Sequence, residues 1–244
     1  MITTLEELSL NAWPALQSVL YDGWVLRFAD GYTRRANSVS PLYPSSIDLD
    51  QKLRFCEAIY RNQKLNVTFK ITTAVNPKSL DQKLMDRGYE KDALTSVQGL
   101  DLNAVKASLA REVNLEEDLT DEWLDSIYRL SAVAESQRKT LRRILGNIVP
   151  RHCFVSLKAN DQIIACGLGV LQGEHIGLFD IVTDSSFRNV GFGRQIVENI
   201  LAWGKQNGAQ TAYLQVMLNN APALHLYSKI GFVEKYQYWY RTKP

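Results

Sequence analysis

Seven consecutive residues combine two glycines with two arginines between a predicted strand and a predicted helix. They are Arg188, Asn189, Val190, Gly191, Phe192, Gly193 and Arg194. Glycines let a backbone come close to a ligand and turn its amides towards it. The free N–H groups at the start of a helix favour an anion, and arginine adds donors suited to phosphate oxygens. The segment predicts a pyrophosphate-binding loop, although a turn that needs glycine only for tight packing has the same pattern.

The residues on either side of this loop predict the elements that position it. Residues 176–182 are mostly apolar and β-branched, as in an interior strand. Thr183 and the three residues after it favour a turn. Beyond Gly193, Ile196, Val197 and Ile200 fall on one face of an amphipathic helix. The loop is therefore expected between the end of a buried strand and the first turn of a packed helix.

A second segment, residues 220–232, carries the signals of a short capped helix. Asn220 suits the cap, Pro222 the first turn and Gly231 the end. These roles leave the position of Tyr227 unexplained. A tyrosine there is either a packed amphipathic side chain or a group that acts at a site.

Together the two segments resemble the GNAT superfamily of N-acetyltransferases. The resemblance covers roughly residues 106–244 and is strongest over residues 181–232. It implies that the loop 188–194 binds the pyrophosphate of acetyl-CoA, which serves as a co-substrate. By the same resemblance, Ile181, Val182 and Thr183 bind the pantetheine arm where their strand splays from the next one.

The resemblance also assigns roles in the later helix. Asn220 and Tyr227 are expected to lie near the cofactor. Tyr227 is expected to protonate the departing thiolate, which fits the need of an acyl transfer for an acid at the leaving group.

Attack of an amine on a thioester sets two further requirements. A backbone amide near Val182 can bind the developing negative charge on the oxygen, and a base must remove a proton from the ammonium form. Alternation along the strand predicts that Asp180 shares a face with Val182 and Ile176. Asp180 is the candidate base if that face looks into the acceptor cleft, and a structural partner for an N–H group or an arginine if it does not. Glu174 and His175, at the preceding turn, are weaker candidates.

Composition excludes several classes of function. With 45% apolar and 22% charged residues, the 244-residue chain can form one large domain or two of ordinary size. A net charge of +2 is too small to indicate a nucleic acid or a membrane as partner. The spacing of three cysteines and three histidines predicts neither a disulfide framework nor a metal site. Without a signal peptide or membrane span, the chain is expected to be cytoplasmic, as a monomer or homodimer.

The predicted order of elements is that of an α+β fold with a mixed sheet, divided at about residue 105. Residues 4–20 read as two short helices separated by Pro14, and Asp30-Gly31 reads as the turn of a hairpin with strands at 24–29 and 33–42. The half then continues with helix 49–61, strand 65–72, helix 80–87 and strand 95–102. The second half reads as helices 123–133 and 139–148, strands 153–158, 162–171 and 176–182, a helix after Gly193, strand 211–217, helix 221–229 and strand 232–240.

Residues 1–105 are interpreted as a degenerate GNAT-like half, which makes the chain pseudo-tandem. When Gly88 is aligned with Gly231, Leu84 stands where Tyr227 stands, and no glycine loop precedes Leu49. This half is expected to be inactive and to shape the acceptor site. The alternative is an accessory α/β domain, because this order of helices and strands also arises independently.

These features predict an acetyl-CoA-dependent N-acetyltransferase that acts on the primary amine of a small molecule. A protein N-terminus or lysine as acceptor is the alternative within the class, and a non-catalytic acyl-CoA sensor is the alternative outside it. A nucleotide-binding protein is disfavoured because the loop lacks both the Gly-Lys-Ser/Thr sequence and a third glycine.

Overall fold

The computed structural model describes residues 1–104 and 113–243. Its helices are α1 (Ile2–Ala12), α2 (Leu49–Asn62), α3 (Leu80–Asp86), α4 (Asp121–Leu130), α5 (Glu135–Gly146), α6 (Phe192–Gln206) and α7 (Ala221–Ile230). Its strands are β1 (Gln17–Tyr21), β2 (Trp24–Phe28), β3 (Val39–Pro41), β4 (Val67–Thr72), β5 (Glu90–Asp101), β6 (Val113–Glu116), β7 (Arg151–Ala159), β8 (Gln162–Gln172), β9 (His175–Thr183), β10 (Thr211–Met217) and β11 (Val233–Lys243). Over the described ranges, no helix has both the length and the apolar character needed to span a membrane.

The chain forms two compact units. The first unit consists of Met1–Val97, Met217–Asn219 and Lys235–Pro244, and the second of Gln98–Val216 and Asn220–Glu234. Strands run in the order β1-β2-β3-β4-β11 in the first unit and β10-β9-β8-β7-β6 in the second. Because β3–β4 and β9–β10 are parallel and the hairpin pairs are antiparallel, the predicted α+β class with a mixed sheet is confirmed. The predicted boundary at residue 105 lies outside the described residues.

The start of the chain differs from the predicted pair of short helices. Helix α1 ends at Ala12, and the residues beyond Pro14 form strand β1 instead of a second helix. Proline has no N–H to continue a helix. Strand β1 then turns directly into β2 through Asp22 and Gly23, both with positive φ. An Asp-Gly pair in this conformation matches the twist of the flanking strands, so the tight hairpin forms here.

The connection predicted as a hairpin at Asp30-Gly31 is longer than expected. Strand β3 is only three residues long, and Arg34–Ala36 forms a 3₁₀ turn before it. Asn37 organises this loop: its Oδ1 accepts from the amides of Ala29 (2.7 Å) and Gly31 (3.0 Å), and its Nδ2 donates to three carbonyl oxygens. These bonds satisfy backbone groups that a regular strand ladder would otherwise pair.

Strand β4 has one apolar face and one polar face. Phe69 and Ile71 are fully buried in a core with residues of α2 and α3. On the other face, Lys70 Nζ lies 2.6 Å from Glu6 Oε2, and both side chains are buried. The Tyr236 hydroxyl donates to the second carboxylate oxygen at 2.6 Å. The buried carboxylate of Glu6 is therefore both paired with a cation and hydrogen-bonded through its other oxygen, which offsets the cost of its burial.

Helix α6 lies close to β8 because two glycines on that strand leave room for it. A β-carbon on Gly167 would lie 2.7 Å from Ile196, and one on Gly169 would lie 2.7 Å from Ile200. Strand β8 pairs with β7 through a turn at residues 160–161, as predicted. The core of the second unit therefore forms where α6 crosses this hairpin and holds the first turn of α6 beside the end of β9.

Candidate active site

Strands β9 and β10 separate before β9 ends. Their parallel pairing joins His175–Leu178 to Thr211–Leu214. Within the described strands it goes no further, although β9 continues to Thr183 and stays paired with β8 on its other side. The predicted splay is therefore present, and the β10-facing edge of the last residues of β9 is left for another partner.

A bulge in β9 changes which of its side chains share a face. Leu168 of β8 pairs with Phe179, and Cys166 pairs with Val182. Two residues of β9 thus stand opposite one of β8, and Asp180 has a φ of +48° at this point. Side chains at paired positions lie on the same face, so Phe179 and Val182 are on the face of Cys166.

The bulge corrects the predicted alternation at Asp180. Ile176 packs towards α6, since a β-carbon on Gly204 would lie 3.0 Å from it. Burial chiefly raises the pKa of the Cys166 thiol, and the charge of Asp180 raises it further. The bulge places Ile176 and Val182 on opposite faces of β9, so the predicted common face of Asp180, Val182 and Ile176 does not form.

Helix α6 begins at a glycine in the left-handed conformation. Gly191 has a φ of +98°, and its carbonyl accepts the first helical hydrogen bond, from the amide of Gln195 at 3.1 Å. The amides of Phe192, Gly193 and Arg194 precede that bond and have no acceptor within the helix. A β-carbon on Gly191 would meet no atom within 4 Å. The sequence thus builds an open group of amide donors at a positive helix end.

A cleft of about 880 Å³ lies at this helix start. It is lined by Ile181, Thr183, Phe187, Arg188, Asn189, Gly191, Phe192, Gly193, Arg194, Asn220, Pro222, Ala223, His225, Leu226, Tyr227 and Lys229. No carboxylate is among these described residues. Arg188 Nε donates to the carbonyl of Thr183 at 3.3 Å, and Arg194 Nε lies 2.7 Å from Glu198 Oε1. The cleft therefore has the electrostatic character expected of an anion site.

Helix α7 supplies the opposite wall of the cleft. Asn220 caps it by accepting the amide hydrogen of Ala223 at 3.3 Å, and Gly231 ends it with a φ of +110°. Tyr227 is 8% exposed and packs edge-on to Phe232, with ring centroids 5.9 Å apart. Burial raises the pKa of Tyr227 to about 12, so the phenol at the cleft is held in its protonated form.

Most of the residues predicted for the site meet in this cleft, and three do not. Those that line it are Ile181, Thr183, Arg188, Asn189, Gly191, Phe192, Gly193, Arg194, Asn220 and Tyr227. Asp180, Val182 and Val190 are absent from the lining. Val182 points to the other face of β9, and Val190 is 63% exposed.

Sequence reasoning missed six residues of the lining. They are Phe187, Pro222, Ala223, His225, Leu226 and Lys229. Helical spacing could have identified the lining residues of α7, because positions 222, 225, 226 and 229 fall on one face of a helix. Phe187 is the last residue of a 3₁₀ turn capped by Asp184, and no sequence pattern identifies it.

The described part of the chain holds no group of three or more His, Cys, Asp or Glu side chains that could bind a metal. Cys56, Cys153 and Cys166 are free and buried. Burial raises the pKa of the Cys56 and Cys153 thiols to about 12. Thiols held neutral in this way are poor nucleophiles.

Comparison with known proteins agrees with this geometry. Residues 1–241 match the family described as "Probable histone acetyltransferase Rv0428c C-terminal". The chain is 31% identical over 254 aligned positions to the uncharacterised N-acetyltransferase YobR of Bacillus subtilis, which covers 99% of this chain and 98% of that protein. It is 30% identical over 93 residues to the [ribosomal protein bS18]-alanine N-acetyltransferase of Salmonella typhimurium, covering 38% of this chain and 63% of that protein.

Solved structures of low sequence identity share the fold. A GCN5-related N-acetyltransferase from Kribbella flavida has a TM-score of 0.71 at 13% identity and covers 99% of this chain and 95% of its own. A tandem GNAT protein from the clavulanic acid biosynthesis pathway has a TM-score of 0.64 at 11% identity. The match covers 98% of this chain and 88% of that protein's chain.

Fold and site together define an acyltransferase of the GNAT class, and GNAT acetyltransferases use acetyl-CoA as a class. With a family match over residues 1–241 and a full-length relative at 31% identity, the chain belongs to the GNAT N-acetyltransferase family that includes the C-terminal part of Rv0428c. The predicted resemblance is confirmed, and it extends beyond residues 106–244 to almost the whole chain.

Proposed function

We propose that this chain binds acetyl-CoA in the cleft between α6 and α7 and transfers its acetyl group to the primary amine of a small molecule. The observation that carries the proposal is the cleft itself. Its lining brings the first amides of α6, the free part of β9 and the buried phenol of Tyr227 to one cavity. These are the parts that an anionic thioester needs: a phosphate cradle, a backbone edge and a proton donor.

The start of α6 suits the pyrophosphate. The amides of Phe192, Gly193 and Arg194 have no helical acceptor, and the open space at Gly191 lets an anion approach them. Arg188 adds a charged donor beside the loop. The described lining has no carboxylate, and the Glu198 carboxylate beside it is paired with Arg194.

The end of β9 suits the pantetheine arm. Ile181 and Thr183 line the cleft where β9 no longer pairs with β10. Free amides and carbonyls at such an edge can bind an extended amide-bearing chain in the way that a further strand would. The same edge, close to Val182, offers a donor for the oxygen that becomes negative during transfer.

Proton transfers fall to Tyr227 and Asp180. Acetyl-CoA supplies an acyl group activated as a thioester. Tyr227, kept neutral by burial, can give its proton to the departing sulfur. Asp180 is proposed as the base, directly or through water, because it lies at the bulge of β9 next to Val182. Holding amine and thioester together contributes in addition.

The first unit is proposed to be a non-catalytic copy that shapes the acceptor site. Leu84, which aligns with Tyr227, is fully buried. The loop before α2 already holds a carboxylate of the chain itself: Asp22 accepts hydrogen bonds from the amides of Ile47 (2.9 Å) and Ser46 (3.0 Å). These amides hold the pKa of Asp22 well below its usual range. One acetyl-CoA per chain is the expected stoichiometry.

The proposed class of acceptor is tested by measuring the free thiol that is released from acetyl-CoA. The purified chain is assayed with amino acids, polyamines, amino sugars and short peptides, and products are identified by mass spectrometry. Turnover with small amines at higher kcat/KM than with any peptide supports the proposal. Preference for a peptide would replace the acceptor class by a protein, and one relative is named as an alanine N-acetyltransferase of a ribosomal protein. Tight binding of acetyl-CoA without turnover on any amine would favour a sensor.

A further inference from the structure

The proposed binding of pyrophosphate and pantetheine leaves two side-chain donors of the cleft without a ligand group. His225 and Lys229 both line the cleft and are exposed. Among the described residues neither forms a hydrogen bond or an ion pair. The two arginines of the cleft differ in this respect, because Arg188 donates to the Thr183 carbonyl and Arg194 pairs with Glu198.

The two uncommitted donors stand together on the helix. They are four residues apart on α7, and residues at this spacing are neighbours on one face. Leu226, on the adjacent part of that face, also lines the cleft. An ammonium and an imidazole N–H side by side favour a ligand group with several negative oxygens.

We propose that His225 and Lys229 bind the 3′-phosphate of coenzyme A. This inference rests on the proposed function. Coenzyme A carries only one phosphate besides its pyrophosphate, on the ribose. The amides of α6 satisfy the pyrophosphate, so the pair on α7 is left for that third group. Such a contact makes the enzyme select free coenzyme A thioesters over thioesters of phosphopantetheine carriers, which lack this phosphate.

The proposal is tested by calorimetric titration with coenzyme A and with 3′-dephospho-coenzyme A. Neither ligand is turned over, so the readout is affinity alone. The wild-type chain is expected to prefer coenzyme A about tenfold, the effect of one or two exposed charge-assisted bonds. Lys229→Gln should lose most of this preference, and His225→Gln/Lys229→Gln should lose it entirely. The affinity for the dephospho ligand should stay within about twofold of wild type in every variant.

Lys139→Gln is the matched control. Lys139 is an exposed lysine of α5 that is not part of the cleft lining, so this variant has the same net charge as Lys229→Gln. It should leave both affinities unchanged. Thermal melting without ligand shows that each variant is folded.

Three results would overturn the proposal. Equal wild-type affinity for the two ligands would remove the 3′-phosphate contact while leaving the proposed function intact. An equal loss for both ligands in Lys229→Gln would mean that Lys229 acts on the pyrophosphate. Failure of the wild-type chain to bind either ligand would contradict the proposed function as well.

Discussion

Gly193 faces Thr183 where the cleft begins: a β-carbon on Gly193 would lie 3.3 Å from the Thr183 hydroxyl oxygen. This approach brings the first turn of α6 next to the last residue of β9. Both residues line the cleft. The missing side chain at position 193 therefore keeps a path open between the proposed phosphate cradle and the proposed pantetheine edge.

Gly193→Val is expected to close that path. Affinity for acetyl-CoA should fall at least about tenfold, because the added methyls occupy the space beside Thr183 and Leu226. The melting temperature should change little, since valine costs a helix no more than glycine does. Calorimetry and thermal melting measure the two effects. Wild-type affinity in this variant would show that the ligand does not pass Gly193.

Gly191→Ala separates backbone strain from binding. The residue has a φ of +98° and open space around its β-carbon position. The substitution should cost about 1 kcal/mol of stability from the left-handed conformation alone. Denaturant unfolding measures it. A cost near zero would mean that the loop relaxes to another conformation.

Tyr227→Phe should lower kcat by about 10²–10⁴-fold, the usual contribution of a general acid. Affinity for acetyl-CoA should be retained, because the ring still packs against Phe232. Steady-state kinetics and calorimetry give the two values, with Tyr43→Phe in the first unit as control. An unchanged kcat would remove Tyr227 from the chemistry.

The raised pKa of Tyr227 sets the sign of its pH dependence. Burial favours the neutral phenol in the folded state, with a pKa of about 12 against an ordinary 10.0. Its contribution to stability is therefore complete below pH 10 and is lost as the pH rises towards 12. Denaturant unfolding near the two ends of this range should show a smaller decline for Tyr227→Phe than for wild type. An equal decline would mean that the phenol ionises normally.

Gly177→Ala is expected to destabilise the second unit. A β-carbon there would lie 2.6 Å from the rings of both Phe179 and Tyr213, and such overpacking costs about 1–3 kcal/mol. Gly146→Ala, where a β-carbon meets nothing within 4 Å, is the control and should be neutral or slightly stabilising. Chemical denaturation compares them. Equal stabilities would show that the two rings move aside freely.

The sequence identified the parts of the fold that local signals determine. Asn160-Asp161 marks the β7–β8 turn, and Asn220 and Gly231 mark the ends of α7. These signals come from residue types that favour a particular backbone conformation at a single position, so they can be recognised in the sequence. At the start of the chain two Asp-Gly pairs competed. The pair Asp22-Gly23 makes the hairpin only because Gln17–Tyr21 finds β2 as a partner, and that pairing is tertiary.

At the site, too, the features that could not be predicted from the sequence depend on tertiary structure. The glycine loop and Tyr227 could be predicted because each has a motif. The break in alternation at Asp180 could not be predicted. It comes from a bulge in β9 opposite Gly167, and the sequence around the bulge looks like that of any buried strand. The role of His225 and Lys229 depends on which helix face borders the cleft. Helical periodicity alone does not separate a packed face from a lining one.

The most direct test of the account is calorimetric titration of acetyl-CoA into the wild-type chain and into a Gly191→Asp/Gly193→Asp variant. We predict one site per chain for wild type and loss of binding in the variant, because two carboxylates at the start of α6 repel the pyrophosphate from the amides proposed to hold it. Absence of binding by wild type, or equal binding by the variant, would contradict the placement of acetyl-CoA in this cleft.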